Sequence, residues 1–148
     1  MDITIRPALE KDYPGIIQMI RDFAAFEKLP EKMTNSVERM AAEKEFFNCF
    51  VATNGDQIVG YVTYFFCYYT WSGKSLYMDD LYIRDSFRGQ GIGTKLLRTV
   101  IDFAEKEKCH QLRWQVSSWN EPAIAFYKSM GAVINSVEQN CDLKLNNS

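Results

Sequence analysis

Histidine is nearly absent from the chain: His110 is the only one among 148 residues. The four cysteines, Cys49, Cys67, Cys109 and Cys141, are scattered, with no C-x-x-C pair. Zinc centres draw on closely spaced cysteine and histidine, so no metal is expected. Cys49 and Cys67 sit inside apolar, strand-like runs, and all four cysteines read as reduced and mostly structural, as in the cytosol. Net charge is also small, −2 with a pI near 5.5. A nucleic-acid binder usually carries a basic face, so no nucleic-acid partner is expected. The longest apolar run, "VGYVTYFFCYYTW", is about 13 residues and rich in tyrosine, short of the ~20 that span a bilayer. The opening "MDITIRPALEKD" lacks the apolar region of a secretory leader. A cytoplasmic location with no membrane partner is the expectation. Repeats, low-complexity tracts and linkers are missing too, which predicts a single domain over 1–148.

What is present is apolar and aromatic: 47% hydrophobic and 14% aromatic residues, enough for a sizeable core. "ITIRPA" reads as a first strand stopped by Pro7. Asp12 reads as an N-cap, with Pro14 in the first turn of a helix carrying Ile16, Ile17, Met19, Ile20 and Phe23 at helical spacing. Pro30 ends that region, and Ser36 is placed to cap a second, shorter helix through Glu45. The period then changes. Residues 46–83 read as three antiparallel strands, joined by Asn54-Gly55-Asp56 and by a turn at Gly73. A helix is predicted from about Thr94 to Lys108, with Leu96, Leu97, Val100, Ile101 and Ala104 on one face. "QLRWQV" is the fifth main strand. Asn120 starts a last helix, Pro122 lies in its first turn, and Gly131 ends it. The tail after residue 131 gives one or two weak strands.

This order predicts an α/β (α+β) fold: a mixed, mostly antiparallel central sheet with helices on both faces. Strands 4 and 5 flank a helical crossover and should run parallel. Where they splay, a crevice opens beside the glycine-rich loop, Arg88-Gly89-Gln90-Gly91-Ile92-Gly93-Thr94. That loop fits neither the phosphate loop G-x-x-x-x-G-K-S/T nor the dinucleotide fingerprint G-x-G-x-x-G, since Thr94 stands where a third glycine belongs. Its physics still calls for an anion. Glycine N–H groups in turns form a concave nest, and the N-terminus of the next helix adds a positive dipole end. Arg88 supplies a guanidinium suited to pyrophosphate.

"RGQGIGTKLL" after a strand looks like the Q/R-x-x-G-x-G/A loop of the GCN5-related N-acetyltransferase (GNAT) superfamily. "LYMDDLYI" is similar to the strand that the family places before this loop, and "WNEPAIAFYKSMGA" resembles its later helix motif. Together with "YYTWSGKSLYMDDLY" and "FEKLPE", these runs resemble the diamine (spermidine/spermine-type) N-acetyltransferase subgroup. The resemblance covers nearly the whole chain and is weakest after residue 131. It implies an acetyl-CoA-dependent enzyme that acetylates a small primary amine such as a polyamine, a diamine or a lysine-like amino acid. A homodimer is implied as well.

The reaction must deprotonate an amine whose free pKa is near 10.4 and reprotonate a leaving thiolate. The resemblance places Tyr127 as general acid and Asp79 as base acting through water. Aspartate is one methylene shorter than the glutamate common in the subgroup at that position. By the two-residue period of a strand, Asp80 should face away from Asp79, so one lines the crevice and the other is free to pair with a lysine. Phe26 and Glu27 match the subgroup's acceptor-amine residues. Backbone groups of Leu81, Tyr82 and Ile83 are expected to pair with the pantetheine arm, Arg88 to Thr94 to hold the pyrophosphate, Asn120 to bond the arm and Lys128 to meet a CoA phosphate. Asn120 reads equally well as a plain helix cap. His110 follows a helix end and is expected to play a structural part.

The tail departs from the subgroup: Gln139 and Cys141-Asp142 stand where it carries a glutamate and then Trp-Arg. A protein amine as acceptor, or a CoA-binding module without turnover, are the alternative readings.

Overall fold

The computed structural model describes residues 2–147. The chain forms two compact units, the first ending at Gln115 and the second beginning at Val116.

The first unit holds a five-stranded sheet in the order β1-β2-β3-β4-β5. Its strands are β1 (Ile3–Pro7), β2 (Asn48–Asn54), β3 (Gln57–Tyr69), β4 (Gly73–Ile83) and β5 (Leu112–Arg113). The first three pairings are antiparallel and β4/β5 is parallel, as expected from the crossover through α3 (Ile92–Lys106). The hairpin between β2 and β3 turns at Gly55, whose φ of 62° is the left-handed value that an Asn-Gly turn requires.

Helices cover both faces. α1 (Tyr13–Phe26) and α2 (Val37–Ala42) lie on one side, where Tyr13, Ile16, Ile17, Met19 and Met40 join Cys49, Val51, Tyr61 and Tyr82 in one buried cluster. α3 covers the other side. It buries Ile92, Leu96, Leu97 and Val100 completely or nearly so, each contributing roughly 1.5–3 kcal/mol relative to an exposed side chain. Phe103 of the same helix packs against Phe50, Tyr64 and Phe66. At Gly60 an added Cβ would fall 2.7 Å from Ile83 Cδ1 and 3.4 Å from Leu96 Cδ1, so glycine lets β4 and α3 close together there.

Several boundaries move. Ser36 does cap α2, accepting the Arg39 N–H at 3.1 Å, but the helix stops at Ala42 and a short 3-10 turn spans Lys44–Phe46. Asp12 takes the N-cap position of α1, but its side chain makes no cap hydrogen bond. Its carboxylate turns back to Arg6 and to the Leu9 N–H instead, because a guanidinium offers two donors in register with both oxygens. α3 begins at Ile92, with Gly91 as its N-cap, rather than at Thr94. The fifth strand is two residues long, since its pairing with β4 ends at Tyr77–Arg113.

The second unit contains α4 (Glu121–Ser129), capped by Asn120, whose side chain accepts the Ala123 N–H at 3.3 Å. Among its described residues the tail forms no strand. Val133, Val137 and Leu143 stay exposed, so they have no buried face to set a strand's alternation. No disulfide links the four cysteines. Among the described residues no helix is long and apolar enough to cross a membrane.

Candidate active site

The glycine loop follows β4 and a single 3-10 turn at Asp85–Phe87. Gly89 and Gly91 take φ of 75° and 81°, the left-handed region that glycine enters without steric cost. No atom lies within 4 Å of a Cβ added at either, so backbone conformation alone asks for glycine at both. Gly93 differs. It is helical, and its added Cβ would meet only Ile83 Cγ1, at an ordinary 3.9 Å. The first helical bond runs from the Lys95 N–H to the Gly91 carbonyl, 3.1 Å. The N–H groups of Ile92, Gly93 and Thr94 therefore lie ahead of the intrahelical ladder and have no acceptor within it. A run of such donors with a helix dipole behind them is suited to a phosphate-bearing ligand.

Arg88 and Gln90 flank the glycines. Arg88 Nε donates to the Ile83 carbonyl at 2.9 Å, and Nη1 lies 2.7 Å from Asp85 Oδ1. Its guanidinium also sits over the rings of Phe26 (5.0 Å) and Tyr82 (5.3 Å). One arginine thus ties the loop to the end of α1 and brings the predicted acceptor residues Phe26 and Glu27 to the same end of the sheet. Gln90 Nε2 reaches back to the Ser86 carbonyl at 3.5 Å.

Beyond Tyr77, β4 runs on from Met78 to Ile83 without a β5 partner. On the other side Leu81, Tyr82 and Ile83 stay paired with Val62, Tyr61 and Gly60 of β3. The Ile83 carbonyl is taken by Arg88, which leaves Leu81 and Tyr82 as the better candidates for backbone pairing with an extended ligand.

The β3/β4 register slips at the acidic pair. Val62 pairs with Leu81 and Tyr64 with Met78, so Asp79 and Asp80 together stand opposite Thr63 in a β-bulge. The bulge breaks the two-residue alternation. Met78 shares a face with Tyr64, which packs on Phe103 of α3, whereas Asp80 reaches Tyr61 in the cluster under α1. The expected lysine partner of the second aspartate is therefore replaced by a phenol: Tyr61 Oη donates to Asp80 Oδ2 at 2.9 Å, and the Asp80 N–H donates to Thr63 Oγ1 at 3.0 Å. Burial pushes the Asp80 carboxyl up to about 6, with Asp79 and Glu27 adding to the rise and the Tyr61 hydrogen bond opposing it. Asp79 is also raised, by partial desolvation. Sequence reasoning missed Tyr61 and Thr63. The available signal was two adjacent aspartates inside an otherwise largely apolar run, "LYMDDLYI", a pattern that simple alternation does not accommodate.

In the second unit, Tyr127 lies partly buried on α4, its ring 5.4 Å from that of Phe126, and Lys128 beside it is exposed. His110 belongs to the first unit. Its N–H bonds the Lys74 carbonyl at 2.9 Å, and its ring stands where a Cβ on Gly73 would touch it, consistent with a structural part.

A sequence profile of the acetyltransferase (GNAT) family matches residues 11–132. The chain is 41% identical over 140 residues to the thialysine N-epsilon-acetyltransferase of Mus musculus, covering 86% of this chain and 82% of that one. It is 31% identical to the spermidine/spermine N(1)-acetyltransferase-like protein 1 of Homo sapiens, over 91% of this chain and 21% of that one. Among solved structures, an aminoglycoside acetyltransferase from an uncultured soil metagenomic sample, in complex with sisomicin, superposes with a TM-score of 0.80 at 26% identity, covering 96% and 97% of the two chains. With its mixed sheet, its glycine nest ahead of α3 and these relatives, the chain belongs to the GNAT family and is an N-acetyltransferase.

Proposed function

We propose that this enzyme moves the acetyl group of acetyl-CoA to a primary amine of a small molecule: a diamine, a polyamine or a lysine-like amino acid such as thialysine. The observation that carries this reading is the carboxylate group formed by Asp79, Asp80 and Glu27. Asp79 and Glu27 both raise the Asp80 pKa, so each lies within electrostatic reach of Asp80. Three carboxyls in that range favour a cationic guest, and an alkylammonium supplies the charge. The sequence relatives named for thialysine and for spermidine/spermine point the same way.

In this reading the N–H groups of Gly89 to Thr94 hold the pyrophosphate of the cosubstrate, and Leu81 to Ile83 offer backbone to its pantetheine arm. Arg88 orders the loop; Asn120 is assigned to the pantetheine arm and Lys128 to a CoA phosphate, as the family resemblance implies. Phe26 and Glu27 receive the carbon chain and far end of the acceptor. The ammonium gives a proton, through water, to Asp79. The neutral nitrogen then attacks the thioester carbonyl, the C–S bond breaks, and Tyr127 protonates the departing thiolate. No metal enters this scheme.

The profile match runs through both compact units, which supports treating 1–148 as one catalytic domain. A cytoplasmic homodimer belongs to the same proposal. Gln139 in the tail favours a short acceptor over spermine, because a neutral amide stands where the subgroup carries a glutamate.

The test is acetyl-CoA turnover against thialysine, lysine, ornithine, 1,3-diaminopropane, spermidine, spermine and a peptide α-amine, read by release of the CoA thiol. Turnover with the small diamines or thialysine, and little with the peptide, is expected. Turnover with the peptide alone would overturn the small-molecule assignment.

A further inference from the structure

Tyr61 is wholly buried and spends its only proton on Asp80. A buried phenol needs a partner, but nothing in the core requires that partner to be a carboxylate. The bulge is what brings the two together. By placing both aspartates opposite Thr63, it sends Asp80 to the Tyr61 side while the Thr63 hydroxyl holds the Asp80 backbone. Oδ2 is thereby committed, and no hydrogen bond reaches Oδ1 from the described residues.

We infer that Tyr61 is a positioning residue for the acceptor amine: it fixes Asp80 so that the second carboxylate oxygen receives the ammonium group and takes its proton directly, in place of the water-mediated transfer to Asp79 in the scheme above. The inference rests on the acetyl-transfer reading and deepens it. In the step, R–NH3+ and the Asp80 carboxylate become R–NH2 and the carboxylic acid, and no further reactant is needed.

The groups that act on Asp80 are known from each neighbouring element. Asp79 lies on its own strand, Tyr61 on β3 and Glu27 at the end of α1, and the Cys49 thiol on β2 feels the Asp80 charge in turn. Burial pushes both Tyr61 and Cys49 well up, so both stay neutral through pH 9. Tyr61 therefore acts as a constant donor, and a donor to a carboxylate favours its ionised form. Asp79 and Glu27 work in the opposite direction. The phenol thus holds a half-buried carboxyl, surrounded by like charges, in a range where it is ionised at neutral pH and still basic enough to accept a proton.

The experiment compares wild type with Tyr61→Phe, which keeps the ring, and with Asp80→Asn. The Asp80 side-chain carboxyl is titrated by 13C NMR without substrate, then with 1,3-diaminopropane, and kcat/KM is followed from pH 5 to 9. Loss of the hydrogen bond should raise the Asp80 titration by about one unit. The acidic limb of kcat/KM should move up in step, a loss of roughly five- to tenfold at pH 5–6 that disappears at pH 9. Asp80→Asn should remove that limb, and the diamine should lower the Asp80 titration in wild type. A purely structural Tyr61 would change the melting temperature and leave both the titration and the limb in place. An Asp80 titration unmoved by Tyr61→Phe, or unmoved by the diamine, overturns the inference. If no amine is acetylated at all, the acetyl-transfer reading fails, and the two NMR titrations still decide whether Tyr61 tunes Asp80 and whether Asp80 meets an ammonium.

Discussion

Arg6 holds Asp12 through two parallel hydrogen bonds, Nη1 to Oδ2 at 2.7 Å and Nη2 to Oδ1 at 3.0 Å. Oδ2 also accepts the Leu9 N–H at 2.7 Å. The pair fastens the end of β1 to the start of α1, the helix whose far end carries Phe26 and Glu27. The Arg6 hydrogen bonds hold the Asp12 carboxyl below its ordinary range, against an opposing effect of burial. A pKa lower in the folded than in the unfolded chain stabilises fully above the unfolded value, near 3.9, and the contribution is lost as pH falls through the folded value. Asp12→Asn should therefore cost about 2 kcal/mol at pH 7, and the gap from wild type should narrow below about pH 4. Urea unfolding at pH 7 and pH 3 checks this. A gap of the same size at both values would mean that the charge on Asp12 contributes nothing.

Gly91 and Gly93 are glycines for different reasons, and their variants should separate them. At Gly91 the φ of 81° is costly for any L side chain, so Gly91→Val should lose at least 1–2 kcal/mol of stability as well as most of the affinity for CoA, its branched side chain standing in the nest. Gly93→Ala meets only ordinary contact in a helical position, so its melting temperature should stay level or rise, by up to about 1 kcal/mol of stability. Thermal unfolding and calorimetric titration with CoA measure both. Full CoA affinity in a folded Gly91→Val protein would remove the loop from the binding site.

Tyr127→Phe keeps the ring beside Phe126 and removes the hydroxyl with its proton. If Tyr127 protonates the leaving thiolate, kcat should fall by roughly 10²–10⁴, with acetyl-CoA affinity and melting temperature near wild type. An acetyl thioester of a more acidic thiol needs less protonation and should recover part of the loss. Turnover within about threefold of wild type, well short of the range for a lost general acid, would reduce Tyr127 to a packing residue.

Local chemistry determined a large part of this protein. Ser36 and Asn120 cap helices where an N-cap residue would be placed from sequence, since the side-chain oxygen bonds an N–H only three residues on. Asn54-Gly55 turns a hairpin, and the alternating glycines open α3, because φ preferences belong to single residues. The antiparallel order of β2, β3 and β4 and the parallel return to β5 were legible from the pattern of strands and turns, and the family from the resemblance of its motifs. Only the tertiary structure decided what depends on partners distant in the chain. Asp12 stands at the N-cap position of α1 as read from sequence, but its carboxylate is turned to Arg6 instead of to the helix. The bulge at Asp79–Asp80 arises between two strands in contact, and the adjacent aspartates in β4 hint at it without fixing its register. Arg88 lies over Phe26 and Tyr82, and Tyr61 holds Asp80, because the folded sheet presents those groups to one another. A tail with good strand-forming residues stayed without strands, since alternation becomes structure only where an edge and a buried face exist to receive it. Short-range preferences fix the elements, whereas strand register and the satisfaction of buried polar groups are settled by whichever neighbour the fold supplies.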